Sequence, residues 1–185
     1  MSWIGLLRTD ARWSGALRVA EKPGPLRTVS MVLAHSGDSW FWAIGLILLY
    51  MAGSAFWKEW ALTQLLWISV LAVLVLALKF TVRRRRPEGD WGEIYRSTDP
   101  HSFPSGHAAR AILIAIIALG LGPLWLGLLL LIWAPLVALA RVAMGLHYLS
   151  DIVVGALVGL LVALVGLQLS PAVFAFITSI TGPLW

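Results

Sequence analysis

Long apolar runs separated by short clusters of charge organise this chain of 185 residues. A membrane-spanning helix needs about 20 mainly apolar residues, and several stretches qualify. A first span is predicted over roughly Ser39–Trp57, bracketed by Trp40 and Trp42 at one end and Trp57 and Trp60 at the other. Such flanking aromatics suit the membrane–water interface. Lys58-Glu59 reads as a tight turn, and a second span as roughly Ala61–Val82. The longest polar loop follows, "RRRRPEGDWGEIYRSTDPHSFPSG", residues 83–106. A third, shorter span begins near His107 and ends around "GLGP", residues 120–123. A fourth runs from about Leu124 to Met144, with a kink expected at Pro135. The fifth starts near Asp151 and reaches about Leu169, carrying Gly155, Ala156, Gly159, Ala163 and Gly166. Small residues of that kind let helices approach closely. The tail "PAVFAFITSITGPLW" reads as a short interfacial piece.

Residues 1–36 contain no run long enough to span, and "EKPGP" at 21–25 breaks them. Arg8, Arg12, Arg18, Lys22 and Arg27 alternate there with Trp3, Leu6, Leu7, Trp13 and Leu17, which fits either a plain tail or an amphipathic helix lying on the bilayer. The pattern as a whole predicts an all-α integral membrane bundle of about five transmembrane helices. Residues 1–36 form an N-terminal interfacial segment, and residues 37–185 the transmembrane domain. No cleavable signal peptide is expected, because "MSWIGLLRTDARWSG" lacks a basic region followed by a long apolar core.

Composition sharpens this. Only 12% of residues are charged, about half the share in an ordinary soluble domain. There is no cysteine, which excludes disulfides, thiolate catalysis and zinc–sulfur sites. The net charge of +5 first suggests anchoring and orientation in a membrane. Nucleic-acid binding is a poor reading, because no soluble module carries the basic residues. With five spans, the loops after the second and the fourth lie on one side, shared with the N-terminus.

The unusual polar residues fall in or beside those two loops. Lys79 and Arg83–Arg86, taken alone, suit snorkelling and a positive stop. "PSGH", residues 104–107, is more pointed. Pro104 and Gly106 punctuate the chain, Ser105 can cap the helix that follows, and His107 falls in its first turn. Free amides at a helix start attract anions. "RVAMGLHYLSD" adds Arg141, His147 and Asp151. If this stretch is helical, His147 and Asp151, four residues apart, share a face. The carboxylate can then fix the imidazole tautomer and leave the other nitrogen free as a nucleophile. The plainer alternative is a buried His–Asp pair that only aids packing. Lys79, Arg86 and Arg141 on one membrane face call for a multiply anionic partner, and phosphate fits.

These blocks resemble the type-2 phosphatidic acid phosphatase family, which also includes vanadium haloperoxidases. Its signature is K-x6-RP, PSGH and SR-x5-H-x3-D. Here the blocks are "KFTVRRRRP" (Lys79–Pro87), "PSGH" (Pro104–His107) and "RVAMGLHYLSD" (Arg141–Asp151), in the same order and internal spacing. The resemblance implies a lipid phosphatase that forms a phosphohistidine on His147. It implies that Asp151 orients His147 and that His107 protonates the leaving group. Lys79, Arg86, Arg141, Ser105 and the Gly106 amide would hold the phosphoryl oxygens. It implies no metal and no other cofactor. Ala140 stands where the signature has serine. Arg83, Arg84 and Arg85 occupy unspecified positions, and Arg96, His101 and Arg110 lie outside the blocks. For each of these six, a solvated or interfacial role is expected.

The substrate class implied is a lipid phosphate or pyrophosphate: phosphatidate, phosphatidylglycerophosphate, or a polyprenyl phosphate or pyrophosphate, undecaprenyl pyrophosphate among them. Partners are therefore the lipid substrate and surrounding membrane lipids. A non-catalytic binder or transporter of anionic lipids is the rival reading, and a haloperoxidase a third. The basic residues gather on the N-terminal face, with Lys58 alone opposite. The positive-inside rule therefore predicts a cytoplasmic active site in a bacterial-type inner membrane.

Overall fold

A computed structural model describes residues 3–89 and 99–181. Its helices are α1 (Trp3–Ala16), α2 (Pro25–Ser36), α3 (Ser39–Ala52), α4 (Ala55–Val82), α5 (Gly106–Leu121), α6 (Leu124–Ala143) and α7 (Leu149–Thr181). Among the described residues there is no strand, only an isolated bridge between Arg85 and His101. The protein is an all-α integral membrane helical bundle.

Helices α4, α6 and α7 are each long and apolar enough to cross a membrane. Helices α2 and α3 reach that length and apolarity only as a pair, bent by 53° at the Gly37-Asp38 break. The predicted third span is α5, whose 16 residues are apolar but fewer than a full crossing needs. The expected count of five spans is therefore approximate. The predicted first span also ends early. The turn lies at Gly53-Ser54, and Lys58 and Glu59 belong to the first turns of α4. The cause is local: the Gly53 amide closes on the Leu49 carbonyl at 2.8 Å, and a Cβ at Gly53 would lie 2.5 Å from that same oxygen. The predicted fifth span continues without a break through Pro171 to Thr181, so the expected separate tail is the end of α7.

Helix α5 is the centre of the bundle. Ala108, Ala109, Ala111, Leu113, Ile114, Ala115, Ile117 and Ala118 are all buried, so it is apolar around most of its circumference, as a core helix must be. It packs chiefly on α6 and α7. The α7 contact depends on small residues: a Cβ at Gly155 would lie 2.5 Å from the Ser105 carbonyl oxygen, and one at Gly159 only 2.0 Å from that of Ala109. Backbone therefore meets backbone, and the start of α7 is drawn against the start of α5.

Helices α1 and α2 gather at the same end. Ala20 donates its amide to the Ala143 carbonyl at 3.0 Å. Ala20 and Ala34 form a small apolar cluster with Ala140, Met144 and Leu146. Ala140, the departure from the signature, thus packs within an apolar contact between α6 and the N-terminal segment. No hydroxyl is called for there.

Candidate active site

Each predicted site residue is placed by an element that ends or begins at this face. Lys79 lies in the last turn of α4 and is buried. Arg86 follows four residues beyond its end. Ser105 caps α5, its Oγ accepting from the Ala108 amide at 3.4 Å. As an acceptor there it still has its own O–H to donate. Gly106 and His107 form the first turn of α5. Arg141 is in the last turn of α6 and Asp151 in the first turn of α7. His147 sits in the short connection between these helices, 1% exposed.

The "PSGH" and "RVAMGLHYLSD" blocks are joined through the backbone, since the Ser105 amide donates to the Asp151 carbonyl at 3.0 Å. Arg86 ties in the first block. Its Nη1 donates to the Leu146 carbonyl at 2.9 Å and lies 3.2 Å from His147 Nε2. The other ring nitrogen, Nδ1, faces Asp151 Oδ2 at 3.5 Å. That is longer than a hydrogen bond, and such catalytic contacts are often long before substrate binds. Burial, with Arg86 and Arg141 close by, pushes His147 down to about 4, and Asp151 only partly opposes this. The ring is therefore neutral near pH 7, the form a nucleophile requires.

Three carboxylates outside the three blocks, Asp99, Asp38 and Asp10, complete the arrangement together with Arg84 of the first block. Asp99 contacts Lys79 Nζ, and it accepts from Arg86 Nη2 at 2.7 Å through Oδ2 and from Arg86 Nε at 2.7 Å through its backbone carbonyl. A carboxylate thus rests on two of the predicted phosphate-holding cations. Burial favours its neutral form, but Lys79 and Arg86 outweigh this and hold Asp99 below the usual carboxylate range. Asp38, at the break between α2 and α3, lies with Oδ1 2.7 Å from His107 Nε2 and Oδ2 3.0 Å from His35 Nδ1. His107 thereby has a carboxylate partner of its own. Arg84 donates to Asp151 Oδ1 at 2.8 Å and to Asp10 Oδ2 at 2.7 Å.

Arg110, expected to be solvated, is buried, and its Nε donates to the Gly37 carbonyl at 2.9 Å. It holds the α2–α3 break beside His107, a structural task the expectation did not include. Arg84 also departs from the expectation, being shared between two carboxylates. Arg83 and Arg85 are exposed, as expected. His101 pairs by its backbone with Arg85 and sets its ring edge-on to Phe80. Arg96 lies outside the described residues. One signal could have found Asp38, Asp99 and Asp10. The chain has only nine acidic residues, so a carboxylate on the cationic face merits a partner search.

Two cavities flank the cations. One of about 250 Å³ is lined by Lys79, Asp99, Gly106, His107 and Arg110 at its polar end. Below them it is lined by Ile68, Leu71, Ala72, Val75 and Leu76 of α4. The other, of about 750 Å³, opens beside Arg86 and Tyr148 and includes Arg18, Arg83 and Arg85.

Fold and site together define a helical membrane protein with a buried His–Asp pair beside an anion-holding cluster. The chain belongs to the PAP2 superfamily, whose family model matches residues 60–175. It is 31% identical over 149 residues to a decaprenylphosphoryl-5-phosphoribose phosphatase of Mycobacterium tuberculosis, covering 76% of this chain and 78% of that protein. It is 28% identical over 128 residues to a lipid A 1-phosphatase of Porphyromonas gingivalis. That match covers 68% of this chain but spans only 27% of the relative. Among solved structures, LpxE of Aquifex aeolicus superposes with a TM-score of 0.65 at 27% identity, covering 83% of this chain and 93% of that one. The phosphatidylglycerolphosphate phosphatase of Bacillus subtilis has a TM-score of 0.69 at 22% identity, covering 91% and 87%, and supports the fold alone.

Proposed function

We propose that the protein is a phosphatase that removes phosphate from a membrane lipid phosphate or pyrophosphate through a phosphohistidine. The observation that carries this is His147 Nε2 beside Arg86, which together with Lys79 already holds a carboxylate in the anion position. A phosphoryl group replacing Asp99 on Lys79 and Arg86 comes within reach of that nitrogen. Nε2 attacks phosphorus, the bond to the lipid oxygen breaks, and His107 gives that oxygen a proton. Water then attacks the phosphohistidine while His107 takes its proton, and inorganic phosphate leaves. Asp151 steadies the imidazole. Arg141, Ser105 and the Gly106 amide share the equatorial charge with Lys79 and Arg86, so positive side chains do the electrostatic work.

The leaving group follows from the smaller cavity. Its apolar wall descends α4 from Lys79 to Ile68, about 16 Å at the helical rise, roughly half the hydrocarbon thickness of a bilayer. A lipid tail fits there, with its oxygen next to His107. The names of the sequence relatives favour a prenyl or glycolipid phosphate over a soluble ester. The positive-inside asymmetry favours a site on the cytoplasmic face of a bacterial-type inner membrane, with α1 interfacial. Since the chain has no cysteine, single cysteines introduced at Arg83 and Lys58 can be labelled from either side to test this.

The decisive assay is phosphate release from a panel of purified lipid phosphates and pyrophosphates in detergent, wild type beside His147→Ala. Release that disappears in the variant and persists with chelator is expected. Full activity in His147→Ala sinks the reading. Lipid binding without release by the wild type favours a binder or transporter.

A further inference from the structure

The helix that carries Asp151 has its first amides capped from elsewhere in the chain. The first N–H groups of any helix lack intrahelical partners. In α7, the Leu149 amide donates to Ser14 Oγ at 2.9 Å and the Ser150 amide to Asp10 Oδ1 at 3.1 Å. Both acceptors belong to α1, some 135 to 140 residues earlier in the chain. Ser14 is fully buried. Asp10 also accepts from Ser150 Oγ at 2.5 Å and from Arg84 at 2.7 Å. Arg84 in turn donates to Asp151 Oδ1 at 2.8 Å.

These contacts converge on the carboxylate behind the nucleophile. Asp151 Oδ1 is on Arg84, and Oδ2 accepts from the Tyr148 amide at 2.9 Å, leaving His147 Nδ1 at 3.5 Å. A shift of a few tenths of an ångström decides whether Asp151 bonds to His147. Charge matters as well as position. Arg84 held by Asp151 alone would withdraw negative potential from the imidazole; shared with Asp10, it withdraws less.

We propose that α1 is a working part of the catalytic centre, with Asp10 and Ser14 as residues that position Asp151 behind His147. The inference rests on the phosphatase reading above. Neither residue touches the reacting atoms.

The test uses full-length enzyme in detergent with the lipid phosphate that wild type hydrolyses best. Asp10→Ala is expected to lower kcat ~10- to 100-fold, the scale of a sub-ångström to 1 Å misplacement, with KM unchanged. Asp10→Asn keeps an oxygen for the Ser150 amide but loses the charge, so its loss is smaller. It carries the test alone if the alanine variant does not fold. Coupling separates positioning from simple loss of structure: Asp10→Asn added to Arg84→Gln is expected to cost nothing beyond Arg84→Gln itself. Wild-type kcat in the Asp10 variants, or losses that merely add in the double variant, overturns the inference and leaves the phosphatase reading intact. Wild-type enzyme that releases no phosphate removes both.

Discussion

Replacing Gly159 by alanine tests how the two histidine-bearing segments are brought together. The added Cβ would lie 2.0 Å from the Ala109 carbonyl oxygen and 2.8 and 2.9 Å from the Ala109 carbonyl carbon and Cα. These are backbone atoms of α5, so no rotamer change relieves the clash. Ordinary contact begins at 3.4 Å, so α5 and α7 must separate by roughly 1 Å or more. Overpacking of this kind costs about 1–3 kcal/mol, against a gain of at most about 1 kcal/mol from alanine's better helix propensity. The same displacement moves His107, on α5, away from Asp151, on α7. A 1 Å error in a reacting constellation costs on the order of 100-fold in rate. Thermal unfolding and phosphate release in one detergent measure both. Gly45→Ala is the control, because nothing lies within 4 Å of a Cβ built at Gly45 in α3; it is expected to leave activity unchanged and stability unchanged or raised. A Gly159→Ala protein with the melting point and kcat of wild type would refute the backbone-to-backbone account of this interface.

Three further outcomes are expected. Asp38→Asn weakens the hold on His107, so kcat falls more for an alkyl phosphate than for p-nitrophenyl phosphate, whose leaving group needs little protonation. Equal losses on both would show that Asp38 does not serve the acid. With His147 pushed down to about 4, its neutral form persists as pH falls, so kcat/KM keeps its His147 contribution from pH 7 to 5 and loses it near pH 4. An acid limb at pH 6.5 that vanishes in an enzyme lacking only His147's partner Asp151 would contradict this. Asp99→Asn frees Lys79 and Arg86 from a competing carboxylate, and orthovanadate should inhibit at several-fold lower concentration. Unchanged inhibition would show that Asp99 does not compete for the anion position.

Features that depend on short range are legible in the sequence alone. Apolar run length fixes a membrane helix, because hydrocarbon demands internal backbone hydrogen bonding. Motif spacing determined that Ser105 caps α5 with His107 in its first turn, and that His147 and Asp151 are near neighbours, although His147 sits in the connection before α7 and not on a helix. Small residues along the last helix announced close packing. The errors were also local: the turn at Gly53-Ser54 was displaced to the nearest charged pair, because charge in a first helical turn and charge in a loop look alike in one dimension. Which distant side chains meet follows from helix packing in three dimensions. Asp38 reaches His107 across 69 residues, Arg84 reaches Asp151 across 67, and Asp10 reaches Ser150 across 140. No spacing rule encodes those pairs. They exist because Gly155 and Gly159 let α7 close on α5, because α2 breaks from α3 beside His107, and because α1 seats on the exposed amides of α7. A buried charge must find a partner, but which partner is a matter of how the helices pack.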